Sequence, residues 1–124
     1  MHESPAGGLG VQVAADLYGC DPALVDDVPA LERLLHAAAE ASNATVVDAL
    51  THTFTPVGAT IALVLAESHL ILHTWPEHEF VALDAFTCSE AMNPEAAVEV
   101  VRAGLRAQRV ESSVVPRGSA FART

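Results

Sequence analysis

Apolar residues recur at two spacings along this chain, and the switches between the spacings mark out its elements. From 9 to 17 they alternate weakly, with Val11 and Val13 on one face, which predicts a strand. Asp21-Pro22 then offers an N-cap followed by proline at the first helical position. Leu24, Val25, Val28, Leu31, Leu34, Leu35 and Ala38 fall on a helical stripe, so 22–41 is predicted helical, with a break before Pro29. Asn43 stops that helix, and 44–52, carrying Val46 and Val47, is predicted as a second strand. Pro56 and Gly58 turn the chain. The run 61–66 is apolar throughout, as for a strand buried on both faces. A hairpin follows, with Leu70-Ile71-Leu72 on its first arm, a turn at Trp75-Pro76-Glu77 and a return strand over 80–87. Asn93-Pro94-Glu95 caps a second helix to about Gln108, with Ala97, Val98, Val101 and Leu105 inward, and 110–115 makes a last strand. Residues 1–8 read as a loose tail and the segment from Arg117 as a frayed end. This order predicts an α+β two-layer sandwich, a mainly antiparallel sheet with two helices on one face.

Composition narrows the partners. A chain of 124 residues that is 51% hydrophobic reads as one domain that buries more surface by pairing, which favours a dimer. Sixteen acids against six bases give a net charge of −10, which argues against nucleic acid and anionic membrane and suits a small cationic substrate. Two distant cysteines, no signal peptide and no bilayer-length apolar run read as a reduced cytoplasmic protein, with a Cys20–Cys88 disulfide as the alternative.

The chemistry is concentrated between Glu67 and Cys88, where one hairpin gathers a serine, three histidines, acids and a cysteine. Ser68 follows an acid and sits where loop becomes strand, so its Oγ can reach the carbonyl before it. Standing alone, such a serine is ordinarily a turn residue, a lone cysteine a small buried hydrophobe, and Trp75 a core residue. His69 and His73 have the i, i+4 spacing of zinc-binding helices. On a strand, four residues span roughly 13 Å, which excludes a shared metal. The same geometry puts Ser68 and His73 on opposite faces of one run, so a bulge, a neighbouring strand or a second subunit must bring them together.

The segment Glu67-Ser68-His69 through His73-Thr74-Trp75-Pro76-Glu77 closely resembles the short bacterial and archaeal S-adenosylmethionine decarboxylases, which make a pyruvoyl group from their own serine. The similarity continues into Phe86-Thr87-Cys88 and His52-Thr53-Phe54-Thr55-Pro56-Val57-Gly58, and more loosely from Gly10 to about Gly118. It implies that the Glu67–Ser68 bond breaks and that Ser68 becomes the pyruvoyl cap of fragment 68–124. It also implies that His73 assists processing, that Cys88 returns a proton in turnover, and that cleaved protomers pair as a homodimer with sites near the interface. Phe54 then lies against the substrate's adenine, Trp75 offers a second aromatic face and Glu77 holds the ribose hydroxyls. Thr60 stands where the family has a processing serine, and Val11-Gln12 where it has a basic pair.

Such chemistry has a physical logic. Decarboxylation leaves a carbanion that no ordinary side chain absorbs, so an electron sink is required, and a pyruvoyl ketone is one. A thiol can return the proton, and imidazole moves protons near neutral pH. Two alternatives remain at this level: a pyruvoyl-dependent arginine or ornithine decarboxylase, suggested by Val11-Gln12, and a non-catalytic regulatory homologue. Phe54 and Trp75 argue against the first, since a small amino acid needs no aromatic platform. The intact Ser68, His73 and Cys88 argue against the second.

Overall fold

The computed structural model describes residues 8–121; the predicted tail lies outside them apart from Gly8, as do the last three residues of the predicted frayed end. Six strands form one antiparallel sheet: β1 (Gly10–Tyr18), β2 (Val46–Thr53), β3 (Ala59–Leu65), β4 (Ser68–Trp75), β5 (Phe80–Thr87) and β6 (Arg109–Arg117), in the order β2-β3-β4-β5-β1-β6. The helical stretch near the N-terminus divides into α1 (Pro22–Val25) and α2 (Val28–Ala41), and α3 (Pro94–Leu105) follows β5. The α+β sandwich with its two main helices on one face is therefore the observed architecture.

Local chemistry explains the boundaries. Asp21 accepts from the Ala23 N–H at 3.0 Å and opens α1. Asp27 accepts from the Ala30 N–H at 3.1 Å and opens α2, so the predicted break falls at a second N-cap. Asn43, in left-handed conformation (φ 65°), ends α2 as expected. The α3 helix stops at Leu105, short of the predicted Gln108. There Arg106 turns left-handed (φ 56°) and the Ala107 N–H closes on the Arg102 carbonyl at 3.0 Å.

Helix α2 lies over β3 and β4, and α3 over β5 and β1. They cover alternate residues: Val13, Ala15 and Leu17 of β1, Ile61, Leu63 and Leu65 of β3, Leu70 and Leu72 of β4, and Val81, Leu83 and Ala85 of β5 are all buried. These side chains, with Val11 of β1, are the sheet's share of the core, and they anchor the strands that carry the site.

Two expectations need correction. The 61–66 run is not buried on both faces, because helices cover only one; Val64 is 49% exposed on the other. Nor does the chain fray at Arg117. The last strand pairs along β1 as far as Arg117 opposite Gly10, with Pro116 tolerated because β6 is an edge.

Candidate active site

The open face of the sheet carries most of the chemistry. Register sets His52, Thr60, His73 and Ala82 side by side across β2, β3, β4 and β5, with Asp16 of β1 and Glu111 of β6 continuing the row. Within it, Thr60 Oγ1 lies 2.9 Å from His73 Nδ1, so a hydroxyl on the neighbouring strand orients the imidazole. Beside this row the open face turns aromatic: Trp75 packs on Phe80 (5.4 Å between centroids), Phe80 on Tyr18 (5.1 Å), and the Arg109 guanidinium sits 4.3 Å above the Tyr18 ring. Phe54, in the β2–β3 turn, is 51% exposed and meets His52 edge-on at 4.6 Å. Gly58, at φ 104°, makes that turn possible and sits under Phe54. Glu77 lies in the one-turn 3-10 segment after β4.

Ser68 stands at the other end of β4. Its φ of 155° is a conformation that L residues rarely adopt, which costs on the order of 1–3 kcal/mol and persists only where neighbours impose it. The neighbours here are identifiable. The Glu67 carbonyl accepts the Cys88 backbone N–H at 3.2 Å and the Cys88 thiol at 3.3 Å, while the Glu67 carboxylate accepts the Thr45 N–H at 3.0 Å. Thr87 and Ser89 exchange hydrogen bonds just beyond, Thr87 Oγ1 to the Ser89 carbonyl (3.1 Å) and the Ser89 N–H to Thr87 Oγ1 (2.9 Å), bracing the loop that holds Cys88. Two donors on a carbonyl would stabilise negative charge developing on its oxygen, and the serine in a strained conformation follows it directly.

The predicted residues thus fall into two groups. Glu67, Ser68 and Cys88 come together, as do Thr60 and His73. The two groups are separated by most of β4: five residues of strand span roughly 17 Å. No bulge within β4 shortens that path. The cavity nearest Cys88, of about 800 Å³, opens on the helix side of the sheet between Cys88, Met92, Val11 and Val114. A smaller one of about 340 Å³ lies among Tyr18, Trp75, His78 and Phe80.

The cysteines differ as their burial differs. Cys88 is exposed, Cys20 is buried, and no disulfide joins them. Burial, and secondarily the nearby Glu79 charge, pushes the Cys20 thiol up to about 11, which keeps it protonated and inert. Several contributors escaped the sequence reading. The donor pair on Glu67 depends on β4–β5 pairing, the Phe80 ring was read only as a strand residue, and Tyr18 lay one position beyond the predicted first strand. Arg117 was set aside with the terminus, yet its Nη1 donates to Gln12 Oε1 at 2.9 Å on the open face.

Comparison with known proteins agrees with this fold. The family model described as S-adenosylmethionine decarboxylase matches residues 11–118. An S-adenosylmethionine decarboxylase proenzyme of Methanococcus vannielii is 41% identical over 110 residues, covering 89% of this chain and 90% of that one. The proenzyme of Parasynechococcus marenigrum is 45% identical over 101 residues, covering 82% and 79%. The crystal structure of the adenosylmethionine decarboxylase from Aquifex aeolicus superimposes with a TM-score of 0.83 at 35% identity, over 90% of this chain and 92% of that one.

Proposed function

The chain belongs to the S-adenosylmethionine decarboxylase family, and from that premise we propose that it cuts itself between Glu67 and Ser68. Fragment 68–124 then decarboxylates S-adenosylmethionine for polyamine (spermidine) synthesis in the cytoplasm. The observation that carries the reading is the Glu67 carbonyl, held by the N–H and thiol of Cys88 beside a serine at φ 155°.

Processing uses this chain's own groups. Ser68 Oγ adds to the Glu67 carbonyl carbon, negative charge grows on the oxygen that Cys88 faces, and the C–N bond breaks to leave an ester and a free Ser68 amine. Removal of the Ser68 Cα proton expels the Glu67 carboxylate, and the resulting enamine loses ammonia to water, leaving the ketone at residue 68. Both proton movements call for imidazole, and His73, oriented by Thr60, is the candidate. Thr60 retains the hydroxyl of the family's serine, so its added methyl leaves this role intact.

The pyruvoyl group fits here because its precursor serine is already strained and its carbonyl neighbour already bonded; it supplies an electron sink for the carbon that loses carbon dioxide. Around it, Cys88 holds the proton that must return to that carbon. Phe54 offers an exposed face for adenine, Trp75 an apolar face for the sulfonium, and Glu77 an acceptor for ribose hydroxyls.

A homodimer is part of the proposal. The ~17 Å between Ser68 and His73 cannot close within one protomer, while the open face exposes Leu50, Val64, Phe54 and Trp75. Two open faces packed about a two-fold axis bury those residues and set the Thr60–His73 pair of one protomer against the Ser68–Cys88 end of the other.

The test has two arms. Purified protein should resolve into fragments 1–67 and 68–124, the second with a blocked N-terminus, and should release carbon dioxide from S-adenosylmethionine in preference to arginine or ornithine. Co-expressed Ser68→Ala and His73→Ala chains, each uncut alone, should yield cut His73→Ala chain. A wild type that stays full-length sinks the enzymatic reading, and one that prefers arginine sinks the substrate assignment; failure of complementation alone sinks the shared site.

A further inference from the structure

The turn between β3 and β4 is short for the residues it contains. Val64 pairs with His69, Leu65 pairs outward with Val46 of β2, and Ser68 pairs outward with Thr87 of β5. Only Ala66 and Glu67 are left to reverse the chain. Short hairpin connections have two common solutions, and both call for a glycine-like residue. A type I′ or II′ turn places positive φ within the two central residues, and a type I turn places it on the residue that follows them. Here Ala66 and Glu67 both keep negative φ, and the positive value falls on the next residue, Ser68 at φ 155°. The serine before which the chain is cut therefore occupies the position where a hairpin ordinarily has glycine.

Contacts from β2 keep the misfit from moving back into the turn. Opposite this corner β2 carries its bulge, between Val46 and Asp48. Just before the bulge the Ala66 N–H donates to the Thr45 carbonyl at 2.9 Å, and the Thr45 N–H donates to the Glu67 carboxylate at 3.0 Å. A regular antiparallel pair would return the Thr45 N–H to the Ala66 carbonyl; the Glu67 side chain takes that donor instead. From the other side the Cys88 N–H holds the Glu67 carbonyl at 3.2 Å. Both turn residues are thus fastened, and Ser68, already in register with Thr87, is left to absorb the misfit.

We propose that this turn is what drives self-cleavage: Ala66 and Glu67, clamped by Thr45, load an unfavourable torsion onto Ser68, and the cut releases it. The inference rests on the self-cleavage reading above and deepens it, giving positioning roles to Ala66, Thr45 and the Glu67 side chain, none of which gains or loses a bond in the reaction. The strained torsion is the one about the Ser68 N–Cα bond, adjacent to the C–N bond that breaks. Strain present in the intact chain and released as that bond opens lowers the barrier to cutting.

Ala66→Gly is the decisive variant, because it touches no reacting group and gives the turn a residue that adopts positive φ freely. Self-cleavage, followed as loss of the full-length mass, should slow about tenfold. In the uncut Ser68→Ala background the same change should raise the melting temperature, although glycine for alanine ordinarily lowers it through the unfolded chain. Unchanged cutting, or a lowered melting temperature in that background, is what an ordinary turn predicts, and either result overturns the proposal. Glu67→Ala unfastens the Thr45 N–H and should also slow the cut. Glu67→Gln keeps an oxygen for that N–H and should cut within about threefold of wild type. Equal slowing by both overturns the clamp. Should Glu67→Ala fail to fold, Ala66→Gly and Glu67→Gln decide. Wild-type protein that never cuts overturns the parent reading; a wild type that cuts while Ala66→Gly keeps pace with it overturns only this inference.

Discussion

Cys88 offers the Glu67 carbonyl two donors, its backbone N–H at 3.2 Å and its thiol at 3.3 Å, and substitution can remove one without the other. Cys88→Ala deletes the thiol and leaves the N–H. When Ser68 Oγ adds to the carbonyl, charge develops on the oxygen that both donors face. A strong oxyanion donor is worth about 10²–10³ in rate. A thiol is a weak donor, so its loss should slow self-cleavage about tenfold, equal to ~1.4 kcal/mol of barrier. Cys88→Ser restores a donor of better strength at the same position and should cut at least as fast as wild type. Turnover of the cut enzyme should rank differently. An alcohol is a far poorer acid than a thiol, so Ser and Ala variants alike should lose on the order of 10²-fold or more in carbon dioxide release. The assay follows disappearance of the full-length mass with time, then turnover of the recovered cut protein. Wild-type cutting speed in Cys88→Ala would mean that the thiol donates nothing. A complete block would mean that it moves a proton during processing, the part assigned to His73.

Phe54→Ala should weaken S-adenosylmethionine turnover about tenfold while barely changing any activity on amino acids, since stacking beyond burial contributes about 0.5–1.5 kcal/mol; equal loss on both substrates refutes the adenine platform. Thr60→Val removes the hydroxyl from His73 and should slow self-cleavage by roughly tenfold, with Thr60→Ser restoring it. Cys20 holds its proton more tightly folded (about 11) than unfolded (9.0). Its contribution is therefore fully present below pH 9 and lost as pH rises through 11. Melting temperatures between pH 9 and 11 should fall in wild type and fall less in Cys20→Val.

Sequence alone determined what depends on neighbours along the chain. Caps at Asp21 and Asn93, the stop at Asn43 and the alternation in β5 are short-range effects, and they placed the elements within a few residues. The run from Glu67 to Cys88 likewise supplied the candidate site residues, because a serine, an imidazole and a thiol were close in sequence. Burial of β3 was misjudged for a long-range reason: apolar residues on both parities do not say whether a second layer covers the second face, and in one protomer none does. The pairing of Thr60 with His73 required β3 to meet β4 in one register, and the double hold on the Glu67 carbonyl required β5 to bring Cys88 back. Arg117 gives the clearest case. Its neighbours in sequence carry no signal, yet three antiparallel pairings, β6 on β1, β1 on β5 and β5 on β4, bring it to the end of the sheet where Ser68 stands, 49 positions earlier in the chain.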